Sequence, residues 1–235
     1  MGETLHLLGI CASPRKDGNT EYLLDEALRS ATAYTGAEVK TDRITFAGKR
    51  VSPCLSCYGC IDAKGECVIA DDFQVMRDAW LRADAILYAV PVYVMAIPGQ
   101  LKCFLDRLAN SLVFDASSSR KRLTVAGVVA QGMHFAAGQE SVIRELANVS
   151  MLLGCLPIAG DSYNGVRGWT YEKLSRSAYR KSSEEESTLT LLEEVRGLAS
   201  DLLTVALVVR SGLRVHREWL AESPTYASAL QKLSG

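Results

Sequence analysis

Three stretches of near-continuous apolar residues, 4–10, 85–90 and 123–130, constrain this chain more than anything else in it. Strands that alternate apolar and polar residues have one wet face; strands apolar throughout are buried on both faces, as in parallel sheets covered by helices. Helical stripes separate them. Leu24, Ala27, Leu28 and Ala31 share one face after the first run. Val75, Met76, Ala79 and Trp80 precede the second, and Leu101, Phe104, Leu105, Leu108 and Leu112 follow it. Val142, Ile143, Leu146, Val149 and Leu153 follow the third. Adding a weaker strand at about 38–46 and another at about 155–159 gives five strands alternating with helices. The expected fold class is therefore α/β, a doubly wound five-stranded parallel sheet. Pro157 suggests that the last strand is at an edge or ends early.

Beyond residue 160 the pattern changes. Asn164, Gly165, Gly168 and the polar stretch 176–187 read as loop and surface. A long helical pattern over 188–213 follows, then a short helix carrying Trp219, Leu220, Tyr226, Leu230 and Leu233. The expected organisation is one α/β domain over 1–162, with a cysteine loop at 54–67 inserted, and a helical C-terminal extension over 163–235. The long apolar helix needs a partner, either its own sheet or another subunit.

The chain has 235 residues, and 26 Lys and Arg against 27 Asp and Glu give a net charge of −1. That balance points away from nucleic acid and anionic membrane surfaces as partners. No secretory leader is visible, and the apolar run 202–209 is too short to span a bilayer, so a cytoplasmic protein is expected. Seven cysteines in that setting argue for metal or redox use rather than disulfides. Cys11, Cys103 and Cys155 lie in apolar stretches and read as small buried hydrophobes.

The other four, Cys54, Cys57, Cys60 and Cys67, are separated by two, two and six residues. Two intervening residues let consecutive thiolates converge on one centre, and thiolates are soft ligands for iron or zinc. Three close thiols plus a fourth downstream suit a [4Fe–4S] cube, with one ligand per iron corner. Zinc and unmetallated thiols are the alternatives. Gly59 and Gly65 would let the backbone turn tightly here.

Loops follow the first, third and fourth strands, at the strand ends where ligands gather in such sheets. The first, with Ser13, Arg15, Asn19 and Thr20, opens a helix and offers hydrogen bonds and charge to a phosphate; Asn19 or Thr20 as a plain helix cap is the alternative. The second contains Pro91, Val92, Tyr93 and Met95, and the third Gln131, Gly132 and His134, of which His134 reads as an ordinary loop histidine.

S-P-R-x-x-G-N-T at 13–20, P-V-Y with G-Q-L-K-x-F-L-D-R at 91–107, and the cysteine loop ending C-V-I-A-D-D-F resemble the flavodoxin-like NAD(P)H-dependent FMN reductases. The two-two-six cysteine pattern with G-Q-E at 138–140 is most similar to the iron–sulfur flavoprotein branch. The resemblance covers roughly residues 4–160. It implies a flavodoxin-like sheet and an FMN whose phosphate is held by Ser13, Arg15, Asn19 and Thr20. Pro91, Val92, Tyr93 and Met95 would line the isoalloxazine ring, and Gln131, Gly132 and the loop to Gly138 would close its other side. It also implies one [4Fe–4S] cluster on the four cysteines, assembly as a homodimer or homotetramer, and ferredoxin or NAD(P)H as redox partner. Such a protein would convert between two-electron and one-electron transfer, and no catalytic nucleophile, acid or base is nominated. Two further readings stay open: a flavin-only NAD(P)H-dependent reductase of FMN, quinones or nitro compounds, and a non-enzymatic carrier of the flavodoxin type. The near-neutral charge counts against the carrier, which would present a charged docking face.

Overall fold

The computed structural model describes residues 3–115, 121–160, 165–170 and 177–234. Its strands are β1 (Thr4–Cys11), β2 (Glu38–Thr45), β3 (Ala85–Pro91), β4 (Val125–Gly132), β5 (Leu156–Pro157) and β6 (Val166–Trp169). All pair in parallel in one sheet of order β2-β1-β3-β4-β5, with β6 also on β4. The order reverses between β1 and β3, which is the topological switch point of flavodoxin-like sheets.

The helices between the strands are α1 (Asn19–Ala31), α2 (Gly59–Asp62), α3 (Phe73–Arg82), α4 (Gly99–Phe114) and α5 (Gln139–Leu152). After β6 come α6 (Ala178–Lys181), α7 (Glu186–Val215), α8 (Arg217–Ala221) and α9 (Ala227–Gln231). The apolar strands alternate their side chains between two cores. Leu8, Ile10, Ile86, Tyr88 and Val90 face α3, α4 and α5. Leu5, Leu7, Cys11, Leu87, Val125 and Val129 face α1 and α7. Continuous hydrophobicity in β1, β3 and β4 thus reflects burial on both sides. The edge strand β2 is mostly exposed, which is why its sequence signal is weak.

The sheet has a sixth strand where a loop was expected. β5 pairs with only Val125 and Ala126, and β6 pairs with 129–132 farther along β4. The chain leaves the sheet after Pro157 and returns to the same edge. A side chain at Gly165 would lie 2.7 Å from the Val128 carbonyl oxygen, so the return requires a residue without one. Asn164 and the expected boundary at 162–163 lie outside the described residues.

The long helix α7 packs on its own sheet. Leu192, Val195, Leu198, Ala199, Leu202 and Leu203 are buried in the same core as β1, β3 and β4. Contact is close at Gly127, where an added Cβ would meet Leu198 Cδ1 at 3.1 Å. The C-terminal segment docks at the amino ends of β3 and β4, where Lys232 Nζ donates to the Ala83 carbonyl at 2.7 Å. Helix α1 carries the expected stripe, with Leu24, Ala27 and Ala31 buried, and ends at Ala31. Residues 32–37 turn the chain back so that Glu38 lies beside Thr4.

Candidate functional site

The loops after β1, β3 and β4 stand side by side because those strands are neighbours in the sheet. In the first, the Ser13 hydroxyl is buried and accepts the Arg15 backbone N–H at 3.1 Å, an ST-turn that folds the loop back on itself. Thr20 is also buried, whereas Arg15 and Lys16 project into solvent. Gly18 occupies the N-cap of α1 with no side-chain cap hydrogen bond. Gly18 has no side chain to cap the first turn of α1, and the helix dipole there favours an anion.

The second loop is a two-residue hairpin. Tyr93 and Ala96 exchange backbone hydrogen bonds of 2.9 and 3.0 Å around Val94 and Met95. Val94 (φ 48°) and Met95 (φ 66°) are both left-handed, as a type I′ turn demands. A β-branched residue there is strained, by about 1–3 kcal/mol, and Val94 is 98% exposed, so nothing in its own surroundings repays the cost. Pro91 is not part of this loop. It is the last, buried residue of β3, in register with Gln131.

In the third loop, Gln131 and Gly132 extend β4 instead of lying beyond it, because β6 supplies them with partners in Gly168 and Trp169. Gly138 has φ 101°, and a Cβ there would stand 2.8 Å from Met95 Cα. The hairpin after β3 thus rests directly on the turn into α5. Gln139, fully buried, ties this loop together: its Oε1 accepts the Ala137 N–H at 2.8 Å, and its Nε2 donates to the His134 and Gly168 carbonyls at 2.7 and 3.3 Å. Tyr93, Val94, Met95, Met133, Phe135 and Trp169 form an exposed apolar rim around these strand ends, with the Phe135 and Trp169 rings edge to face at 5.1 Å.

The cysteine loop leaves the sheet after β2 and lies against α4. Cys54, Cys57, Cys60 and Cys67 all line one pocket, together with Arg107, Asn110 and Ser111 of α4. The turns are made mostly by left-handed non-glycine residues, Ser56, Tyr58 and Lys64; Gly65 (φ 94°) is the one expected glycine that needs its freedom, while Gly59 opens α2 against Val68. Burial pushes the Cys60 thiol up, and the neighbouring Cys67, Cys54 and Cys57 add to this, so the four sulfurs feel one another. All seven cysteines are unbridged. Among the described residues no group of three or more His, Cys, Asp or Glu is arranged to hold a single metal ion.

Arg107 closes this loop. Its Nη1 donates to Asp71 Oδ2 at 2.6 Å and to the Ser52 carbonyl at 3.2 Å, its Nη2 to the Ile69 carbonyl at 3.3 Å, and its Nε to Cys67 Sγ at 3.3 Å. The guanidinium also stacks on the Phe73 ring at 4.2 Å. One side chain therefore clamps the stem before Cys54 to the stem after Cys67. Asp71 is equally well held, accepting N–H groups from Ser52 and Phe73 at 2.8 and 3.1 Å. Its burial alone would raise the carboxyl; the Arg107 hydrogen bond and the two backbone donors outweigh it and hold it down at about 2.

Residues 5–169 match the model of a protein family described as NADPH-dependent FMN reductase. An iron–sulfur flavoprotein of Methanocaldococcus jannaschii is 34% identical over 158 residues, 67% of this chain and 77% of that protein. An iron–sulfur flavoprotein of Archaeoglobus fulgidus is 32% identical over 180 residues, 77% and 88% of the two chains. The chain belongs to the NADPH-dependent FMN reductase family, in its iron–sulfur flavoprotein branch. It is an FMN-dependent oxidoreductase. Among solved structures, RosB, crystallised with 8-demethyl-8-formylriboflavin-5'-phosphate, superposes with a TM-score of 0.63 at 15% identity over 98% of this chain and 85% of its own, a likeness of fold. The family model ends at Trp169, the last residue of β6, so the closing helix α7 lies outside the matched stretch. Among the described residues no helix is long and apolar enough to cross a membrane.

Sequence reasoning did not assign roles to Arg107, Asn110 or Gln139; for Asp71 it offered, with Asp72, only the cap of α3, and the Asp71 carboxylate does accept the Phe73 N–H there. Arg107 and Gln139 stand inside quoted motifs, and the available signal was a charged or amide residue on the apolar stripe of a helix. Gln139→Ala is expected to destabilise the fold by about 1–3 kcal/mol, because it leaves buried N–H and C=O groups unpaired, and to weaken FMN binding. Thermal melting and an FMN titration check both.

Proposed function

We propose that this chain is an iron–sulfur flavoprotein that joins two-electron and one-electron transfer, with FMN at the ends of β1, β3 and β4 and a [4Fe–4S] cluster in the cysteine loop. The observation that carries the cluster is that four thiols spaced two, two and six apart line one pocket against α4. A single tetrahedral zinc at about 2.3 Å from each sulfur needs sulfurs about 3.8 Å apart, whereas a cube places each thiolate on a different iron and spreads them farther.

The donor set of the first loop suits a phosphate. Ser13, Asn19 and Thr20 would donate hydrogen bonds, Arg15 would supply charge, and the uncapped start of α1 adds backbone N–H groups. Val92, Tyr93 and Met95 would face the flavin ring from the hairpin, with Pro91 beneath, and Gln131, Gly132 and Gly138 would close the opposite side. When bound, FMN exchanges electron pairs as hydride and a cubane cluster exchanges single electrons. The chain's own part is positioning. The exposed hairpin leaves an open apolar approach for a nicotinamide, the donor class that the family description suggests. Helix α4 begins just after the hairpin and reaches the cysteine loop at Arg107, about 12 Å farther along its axis, so one rigid element links the two centres.

Anaerobically purified protein should contain FMN with about four irons and four sulfides per chain. Cys57→Ala should lower the iron content and leave FMN bound, as measured by metal analysis and flavin absorbance. A yellow protein free of iron and sulfide after anaerobic reconstitution would instead be a flavin-only reductase. Loss of flavin together with iron in Cys57→Ala would mean that the loop is part of the flavin pocket.

A further inference from the structure

Among the described residues, two side-chain N–H groups reach the cysteine sulfurs, and both come from one face of α4. Arg107 Nε donates to Cys67 Sγ at 3.3 Å, and Asn110 Nδ2 donates to Cys54 Sγ at 3.7 Å. Residues three apart on a helix share a face, so both lie on the side turned toward the loop. Arg107 is 2% exposed and pinned by Asp71, Ser52 and Ile69. Asn110 is fixed by a second hydrogen bond to the Asp106 carbonyl at 3.0 Å. Both donors are thus held by the fold, not free to swing away. Cys57, by contrast, is exposed. The side-chain donors are therefore unevenly placed, with Cys54 and Cys67 each backed by one and Cys67 also by a full positive charge.

Resting on the cluster reading above, we propose that Arg107 and Asn110 set the reduction potential of the [4Fe–4S] centre by donating N–H bonds to the Cys67 and Cys54 sulfurs. A cluster gains negative charge on taking up an electron. Donors and cations at its sulfurs stabilise the reduced form more than the oxidised form and raise the potential. Neither residue ligates iron, so both are positioning residues whose effect is read in the potential of the assembled cluster. Lys cannot replace Arg107 in this role, because it has no planar fork to grip Asp71 and the two carbonyls while also addressing a sulfur.

The test is an anaerobic potentiometric titration of the full-length holoprotein followed by EPR, with iron and sulfide measured in each sample. Asn110→Leu keeps the side chain's size and removes its donor. It should lower the cluster potential by about 59 mV, a tenfold change in a one-electron equilibrium. Asn110→Asp, which puts an acceptor and a negative charge beside Cys54, should lower it further. Arg107→Lys should lower it as well while retaining a cation near the site. Unchanged potentials in both Asn110 variants with full iron content would overturn the proposal. So would loss of iron with no change in the potential of the cluster that remains, since that is the signature of a purely structural role. A wild-type protein lacking iron and sulfide after reconstitution would defeat the cluster reading itself, an outcome distinct from either.

Discussion

Arg107→Met is expected to destabilise the folded protein by about 3–5 kcal/mol, because it leaves the Asp71 carboxylate buried without its counter-charge. Both side chains are only 1% exposed, so water cannot take over the solvation that is lost. For a chain of this length each kcal/mol corresponds to about 2–4 °C in melting temperature, so a fall of about 6–20 °C should be seen in a thermal scan. A shift of a degree or two would contradict the account. Asp71→Asn in the Arg107→Met background should recover part of the loss, since it removes the orphaned charge while keeping a group that can accept from Ser52 or Phe73. The pH dependence follows from the depressed Asp71 carboxyl. Its folded value of about 2 lies below the ordinary 3.8, so its contribution is fully present above about pH 3.8 and is lost as the pH falls toward 2. The gap between wild type and Arg107→Met should therefore be widest above pH 3.8 and should narrow below it, because protonation neutralises the stranded carboxylate.

Gly138→Ala is expected to weaken FMN binding at least tenfold. The backbone there sits at φ 101°, where an L side chain costs about 1–2 kcal/mol. The added methyl would also meet Met95 Cα at 2.8 Å and Val92 Cγ1 at 3.1 Å. Met95 Cα is backbone and cannot rotate aside, so the hairpin after β3 has to move away from the turn into α5. That movement pulls apart the two loops proposed to embrace the flavin ring. Titration of flavin-free protein with FMN, read by flavin fluorescence, measures the affinity, and circular dichroism confirms that the fold persists. An unchanged affinity would mean that the flavin does not depend on contact between these loops. Gly99 is a suitable control, since an added Cβ there meets nothing within 4 Å.

Some of this architecture was legible from residue patterns because the signal was local and repeated. β1, β3 and β4 are buried on both faces, so their hydrophobicity is unbroken, and the stripes of α4 and α5 mark the face each turns to the sheet. β6 was not legible. Four residues, two of them buried, make no period of their own, and the segment is a strand only because β4 offers 129–132 as an unpaired edge. Pro157 did signal an early end to β5, but not that the chain would return to the same edge. The three strand-end loops could be picked out by composition. The positive φ at Val94 and Met95 could not, since neither residue type favours it.

The sequence by itself determined the class of sheet, the order of its helices, the positions of the three loops and the spacing of the four thiols. Those features depend on residues close together in the chain. Tertiary structure alone decided what faces the sulfurs and what covers the sheet. Arg107 meets Cys67 and Asp71 across 40 and 36 residues, Asn110 meets Cys54 across 56, and α7 finds its partner in a sheet begun near the other end of the chain. The physical reason is the range of the forces involved. Propensity and periodicity act within a few turns of chain, whereas burial of charge and close packing depend on which distant segments the completed fold brings into contact.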